Sequence, residues 1–355
     1  MNSSIPDQSN FDHFRFLRVK GSNYQIGFQT GKKFRNQIKN VVENSLRIQN
    51  LLKFDRKHPE KALTSEQLIQ ANFPQYLEEI RGIAEGSTID YHTILLINLF
   101  HLYEHEDCST VIFKSDSEIL IAHNEDHNQI MCENSYYLEI HLPNDVVIFT
   151  HTYPGSIPGY SHGMNSHGIV ITCNYVPDPI EDIGIPRTIL GRWMLESNSI
   201  EQAIERSHGF TPRSGGVSYN IGSVNEQRVV NVEITGRDWA LTEIEDKFFH
   251  PNHYISPKFS QIPVPDSKYS TTKKRLKRSK ELFPIIEKSS QGALKILWDP
   301  DIFILPHAIP KKGIHFTFNT SVFHLKNHQI FTEIYSNQRN SEICDKYKMV
   351  ELKKG

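Results

Sequence analysis

The hydrophobic pattern of the chain changes period once, at Cys108, and that change limits what it can fold into. Ahead of it, apolar residues recur at helical spacing. Phe34, Ile38, Val41, Val42, Ile48, Leu51 and Leu52 follow the glycines Gly21, Gly27 and Gly31. Thr64 with Gln67 has the form of a capping box opening a second helix. Pro74 starts a third, carrying Leu77, Ile80, Ile83 and Ala84, and Gly86 stops it. Asp90 caps a fourth, strongly apolar helix that runs to about Tyr103. Past Cys108 the period becomes two. Ser109-Thr110-Val111-Ile112-Phe113 is β-branched and aromatic, and 118–123 pairs with it across a polar turn. Further strands are predicted over 136–142, 146–151, 169–173, 218–223, 228–235, 238–243, 313–319, 321–325 and 330–335. Helices interrupt them at 188–196, 200–207 and, with a basic face, 271–283. The stretch 251–269 holds four prolines and reads as loop. A helical piece followed by a long antiparallel region with inserted helices predicts an α+β fold, two antiparallel sheets covered by helices. No internal repeat or low-complexity segment is present.

Composition removes several function classes. With 355 residues, 38% hydrophobic, the chain can bury one large core or two smaller ones. A formal net charge of -2 gives no basic field for nucleic acid. The basic run 273–280 is then most simply a solvated helix face. No apolar stretch approaches the roughly 18 residues of a membrane span. The first residues lack the basic start and apolar run of a secretory signal, which predicts a cytoplasmic protein. The four cysteines form no CxxC pair, so a zinc ribbon is excluded and reduced thiols are expected. His101 and His105 stand four apart, but Leu102 occupies the place where a metalloprotease needs Glu, and no metal is expected. Ser218 has no GxSxG around it.

The chemistry concentrates on Cys108, at the helix-to-strand junction where a thiol can be presented at the end of a sheet. Polar groups follow at other strand ends. They are His123-Asn124-Glu125-Asp126, Asn165-Ser166-His167-Gly168, Cys173-Asn174-Tyr175, Ser218-Tyr219-Asn220 and Asn252-His253-Tyr254. Taken in order with the Gly21/Gly27/Gly31 helix entry and Asp107-Cys108-Ser109-Thr110, this set resembles the isopenicillin N acyltransferase family. That family includes hydrolases of β-alanyl amines such as carcinine and β-alanyl-dopamine, to which the stretch 154–174 is more similar.

The resemblance implies an αββα four-layer sandwich of the N-terminal-nucleophile hydrolase kind, within one globular domain over 1–355. It implies that the chain cuts itself between Asp107 and Cys108. Residues 1–107 then remain bound as a helical α chain to the catalytic part, 108–355. Freed Cys108 carries a thiol and an amine on one residue, both titrating close to neutral pH, so it serves as nucleophile and base. By the same resemblance Asp126 holds the amine, Asn220 donates to the oxyanion, and Asn174 contributes a second donor. An arginine is expected at the site, assigned to Arg275 ahead of Arg278. Tyr175 and His253 are candidate substrate contacts, with a loop hydrogen bond as the alternative for His253. The substrate is then a small-molecule amide, either an N-acyl amine or a penicillin-like compound, with acyl-CoA as a further partner and no cofactor. Asp107 departs from the small residue, often Gly, that usually precedes the nucleophile. Its carboxylate either slows the cut or acts on the scissile carbonyl. The competing readings are a bile-salt or penicillin-V amidase type, which usually begins at its cysteine, and an unprocessed binding protein of the same fold.

Overall fold

The computed structural model describes residues 11–99, 108–178, 183–263, 266–305, 315–336 and 342–349. Before Cys108 the described residues form a strand and six helices: β1 (Phe16–Lys20), α1 (Asn23–Lys33), α2 (Arg35–Asn44), α3 (Leu46–Asp55), α4 (Pro59–Asn72), α5 (Pro74–Ser87) and α6 (Tyr91–Leu99). Then come β2 (Ser109–Lys114), β3 (Ile119–Asn128), α7 (Gln129–Asn134), β4 (Tyr136–His141), β5 (Val147–Thr152), β6 (His162–Asn165), β7 (Ile169–Val176), β8 (Ile185–Pro186), α8 (Arg187–Met194) and α9 (Ile200–His208). The rest is β9 (Arg213–Ser214), β10 (Gly216–Ser223), β11 (Arg228–Ile234), β12 (Trp239–Glu243), β13 (Lys247–His250), α10 (Asp266–Leu282), α11 (Ser290–Leu297), β14 (His315–Lys326), β15 (Gln329–Ser336) and β16 (Asp345–Lys348).

Two sheets carry the fold. One runs β1-β4-β5-β6-β7-β10-β11-β12 and the other β13-β2-β3-β14-β15-β16, with β8 and β9 as a separate short pair. Period-2 strands with apolar residues on both faces must be covered on both sides, and three buried clusters do this. One packs helices α1–α6, α8 and α9 on the odd-numbered residues of β7 and the even-numbered residues of β11. A second lies between the sheets, where Ile112, Ile121, Phe323 and Leu325 meet Tyr137, Phe149, Met164 and Val170. A third packs α11 and the end of α10 on Val111, Phe113, Leu120 and Ala122. The layers are therefore helix, sheet, sheet, helix, as the α+β expectation requires.

Residues 11–99 are built into this body. β1 adds a parallel edge strand to β4, register Phe16↔Tyr137 to Lys20↔His141. Asp345 accepts hydrogen bonds from the backbone N–H groups of Asp12, His13 and Phe14. Buried Arg192 of α8 pairs with buried Glu79 of α5 at 3.2 Å. Helices α1 and α5 touch backbone to backbone: a Cβ on Gly27 would lie 2.0 Å from the Glu79 carbonyl oxygen, and one on Gly82 would lie 2.2 Å from that of Tyr24. Among the described residues, no helix is long and apolar enough to cross a membrane.

The local differences from expectation have physical causes. The first apolar run is three helices, broken at Phe34 and Ser45. Thr64 caps nothing; it sits inside α4 and its hydroxyl bonds back to Glu60 O. From residue 315 on, the predicted strands 313–319 and 321–325 are the single strand β14, whose register slips by a bulge between Thr317 and Asn319; 313 and 314 lie outside the described residues. Strand β1 and helix α11 were not expected. Asp90 does cap α6, accepting from Thr93 N at 3.0 Å.

Candidate active site

The register of the β2–β3 hairpin decides which groups can reach Cys108. Ser109 lies opposite Asn124 and Thr110 opposite His123. Directly opposed residues share a face, so Ser109, Asn124 and Asp126 face helices α10 and α11, while Thr110, His123 and Glu125 face the other sheet. Cys108, two residues before Thr110 and itself buried, stands at the strand end where the two environments meet.

On the helix side, α10 delivers Arg275, 1% exposed. Its Nη1 donates to Cys108 O at 3.0 Å and to Ser109 Oγ at 2.9 Å, and its Nη2 donates to Asn252 Oδ1 at 2.9 Å. That same Oδ1 accepts the Cys108 backbone N–H at 3.0 Å. Asn252 is fixed in turn: its N–H bonds Thr272 Oγ1 at 2.8 Å and its Nδ2 donates to Tyr175 O at 2.9 Å. A side-chain amide has two donor hydrogens, so this leaves one on Asn252 Nδ2. Asp126 is fully buried on this side.

On the sheet side, the Cys108 Sγ, a His123 ring nitrogen and a Glu125 carboxylate oxygen lie within 4.8 Å of one another. His123 joins Thr110 Oγ1 through Nδ1 at 2.8 Å and Glu125 Oε2 through Nε2 at 3.1 Å. Tyr153 OH donates to Glu125 Oε1 at 2.6 Å, and Ser161 Oγ donates to Oε2. Burial alone would raise the Glu125 pKa, but hydrogen bonds from His123 and His162 outweigh it and hold the carboxyl well below its usual range. Burial pushes His151 down to about 3 and lowers His162, so both rings are neutral.

Ligand atoms of Glu125, His151 and His162 are also mutually within 4.8 Å, a grouping that metals can use. Ser161 Oγ already joins them, 3.2 Å from His151 Nδ1 and 2.9 Å from His162 Nδ1 as well as bonded to Glu125. A hydroxyl offers one hydrogen and two lone pairs. Giving the hydrogen to the carboxylate and accepting from the two rings uses all three of its sites, while His151 Nε2 is buried with no hydrogen-bond partner among the described residues.

The structure brings Cys108 and Arg275 into contact and places Asn252, which sequence reasoning assigned no role, between them. Asn174 stands one step away: its Oδ1 accepts from Thr110 Oγ1 at 2.8 Å and from Asn220 Nδ2 at 3.0 Å. Asn220 lies beyond it: its Nδ2 donates to Thr172 Oγ1 and Asn174 Oδ1, and its Oδ1 accepts from Asn231 Nδ2. The Tyr175 carbonyl meets Asn252, and His253 Nδ1 bonds Thr272 Oγ1 at 2.9 Å, with burial pushing its pKa down to about 4. Arg278 turns outward to Asp299 and Glu281. Asp107, His101 and His105 lie outside the described residues. The nearness of His123 and Glu125 to the thiol was available in the sequence as alternation from Thr110 across the hairpin.

Comparison with known proteins places this arrangement. Residues 113–339, more than half of the chain, match the family model described as acyl-coenzyme A:6-aminopenicillanic acid acyl-transferase. The β-alanyl-dopamine/carcinine hydrolase of Drosophila melanogaster is 25% identical over 213 residues, 53% of this chain and 55% of that protein. The chain therefore matches only about half the length of that relative. The acyl-coenzyme A:6-aminopenicillanic-acid-acyltransferase 40 kDa form of Emericella nidulans is 25% identical over 264 residues, 71% of this chain and 73% of that one. Among solved structures, a mutant of the conjugated bile acid hydrolase from Clostridium perfringens superposes with a TM-score of 0.46 at 11% identity, covering 67% of this chain and 91% of that one. Penicillin V acylase from Agrobacterium tumefaciens gives 0.39 at 11%, covering 64% and 82%. With the family model running from the end of β2 to the end of β15, the chain belongs to the acyl-coenzyme A:6-aminopenicillanic acid acyl-transferase family.

Proposed function

We propose that this protein is a cysteine amidohydrolase or acyltransferase that cuts its own backbone ahead of Cys108 and then uses that residue on small-molecule amides. One observation carries the reading. Each polar atom of Cys108 meets its own buried group: the nitrogen meets Asn252 Oδ1, the carbonyl meets Arg275, and the sulfur faces His123 and Glu125. A cysteine that merely fills a core needs none of these.

In the uncut chain the thiol attacks the carbonyl carbon of residue 107. The S–C bond forms, the C–N bond breaks, and the thiol proton ends on the departing Cys108 nitrogen. Water then opens the thioester and restores the thiol. The released segment 1–107 stays attached through β1, the α1–α5 pair and the Arg192–Glu79 bridge. Asn252 Oδ1, already accepting the N–H of Cys108, keeps the new amine in place, and Asp126 supplies negative charge on the same side. The neutral amine takes the thiol proton as an amide substrate is attacked. Asn252 Nδ2 keeps one hydrogen for the developing oxyanion, whereas both Asn220 amide hydrogens are already engaged. Water as acceptor gives hydrolysis, and an amine gives transfer. The relatives' names make β-alanyl amines and acyl-CoA with a penicillin nucleus the first compounds to offer, in a cytoplasmic setting that keeps the thiol reduced.

Intact-mass measurement on the purified protein tests the reading. Wild type gives two masses, 1–107 and 108–355, and hydrolyses at least one member of an amide panel. Cys108→Ala gives one mass and hydrolyses none. An uncut wild type whose amide hydrolysis survives Cys108→Ala would sink it.

A further inference from the structure

The proposed self-cleavage raises a problem that the mature mechanism does not share. Before the cut the Cys108 nitrogen is an amide, here donating to Asn252 Oδ1, and it cannot take a proton. The thiol therefore needs another acceptor for one turnover. His123 and Glu125 each place a ligand atom within 4.8 Å of Sγ, a separation that one water or a turn of the cysteine side chain closes. We infer that the His123–Glu125 pair is the proton acceptor for Cys108 in the uncut chain, replaced by the α-amine once the chain is cut. This rests on the self-cleavage reading given above.

The hydrogen bonds around His123 leave room for one added proton. Thr110 Oγ1 has a single hydrogen and lies 2.8 Å from both His123 Nδ1 and Asn174 Oδ1. With that hydrogen directed at Nδ1 in place of Asn174 Oδ1, Nδ1 is an acceptor, the ring is neutral and its Nε2–H points at Glu125. When Nδ1 takes a proton, the Thr110 hydroxyl turns to Asn174, and every member keeps a partner. Asn174 is bonded in either state, because Asn220 Nδ2 also donates to it at 3.0 Å. The resulting imidazolium is held by a buried carboxylate whose ion-pair contacts are to His123 and His162. Hydrogen bonds keep that carboxyl ionised despite its burial. The balance closes within the protein: the thiol proton passes to His123, the S–C bond forms and the C–N bond breaks, and the proton moves on to the departing nitrogen.

The test follows the full-length chain after cell-free synthesis, with the uncut fraction read by intact mass over time. In His123→Gln, cutting slows about a hundredfold, the low end of what a positioned base contributes. Glu125→Gln slows it less. Amide turnover per cut chain falls in both, by at least tenfold less than cutting does, because the amine is then present. That split separates a proton acceptor from a packing residue, which would move both rates together. Cutting of folded His123→Gln at the wild-type rate overturns the inference, and so do equal losses in the two rates. If His123→Gln does not fold, as judged by circular dichroism, Glu125→Gln carries the same two readouts. Cys108→Ala runs alongside: a cut in that variant, or none in wild type, defeats the self-cleavage reading itself, whereas a fast cut in His123→Gln beside an uncut Cys108→Ala defeats only this inference.

Discussion

The space between the two sheets has an apolar half and a polar half, built by the same strands. Along β3 the inward residues run Ile119, Ile121, His123, Glu125, His127, all fully or nearly fully buried. Ile119 and Ile121 meet Phe149, Met164, Val170, Phe323 and Leu325. His123 and Glu125 meet Thr110, Tyr153 and Ser161, with Asn174, Asn220 and Asn231 one, two and three bonds beyond Thr110. Burial is equal, but what makes it favourable differs. In the first half it is apolar area removed from water, about 25 cal/mol per Å². In the second, each polar group costs free energy to desolvate and must recover it from a partner. Truncation in the apolar half costs transfer energy and leaves a cavity, while removal of one member of the polar half strands its hydrogen-bonded neighbours. The nucleophile sits at the polar end.

A paired substitution probes this contrast with the largest expected effect. Phe149, stacked on Tyr347 at 3.9 Å and on Tyr137 at 5.4 Å, has no polar partner to strand. Phe149→Ala should lower unfolding free energy by about 3–5 kcal/mol, transfer loss plus cavity. Asn220→Ala should cost about 1–3 kcal/mol through the unpaired Thr172, Asn174 and Asn231 groups, and should also loosen Asn174 beneath Thr110. Urea unfolding of both variants, with turnover per folded molecule, checks the pair. A polar-half loss larger than the apolar one, or one that leaves turnover untouched, breaks the contrast.

Much of this was legible in the sequence. The shift of period at Cys108 marks the helix-to-strand boundary, and the hairpin that follows fixes the register that sends Thr110, His123 and Glu125 to one side. What stayed hidden was long-range. Asn174, Asn220 and Asn231 each lie in or just after a predicted strand and Asn252 in the predicted loop 251–269, and only the folded chain shows that it is Asn252 that reaches the Cys108 nitrogen. Strand β1 is five residues at a sheet edge, paired to β4 far along the chain, so no local turn announces it. The breaks between α1, α2 and α3 carry no glycine or proline, and an unbroken apolar period gave no stop signal. The single strand β14 read as two because its bulge disturbs the alternation.

Acid should sharpen the contrast next. Burial holds His151 neutral in the folded protein until about pH 3, whereas an unfolded histidine gains its proton near ~6.5. Below that value the unfolded state binds more protons, so stability is full above it and falls as pH falls, by about 1.4 kcal/mol per pH unit for each such group. His127 is shifted the same way, with burial the first cause. Glu125 adds nothing between pH 6.5 and about 4.5, because its folded pKa is depressed and its contribution is lost only below the unfolded value. Urea midpoints should therefore drop steadily from pH 7 to 5, and less steeply in His151→Gln. Equal slopes in wild type and variant would show that the polar half does not set the acid sensitivity.

The smallest effect is expected where a cation of the same helix lies outside the network. Arg275 and Arg278 are neighbours on α10, and sequence alone separated them weakly. Arg275 is buried and holds the Cys108 carbonyl. The Arg278 side chain is 35% exposed and bonds Asp299 at 2.9 Å and Glu281 at 3.1 Å. Attraction across solvent is weakened by water and salt and opposed by the entropy of fixing two long side chains, so such pairs contribute little. Arg278→Gln should leave the melting temperature, the rate of self-cleavage and amide turnover close to wild type, whereas Arg275→Gln should depress the two rates strongly. A turnover loss in Arg278→Gln comparable to that in Arg275→Gln would move the site's cation to the outer face of α10. It would also mean that membership of the polar half's hydrogen bonds is the wrong measure of what the nucleophile needs.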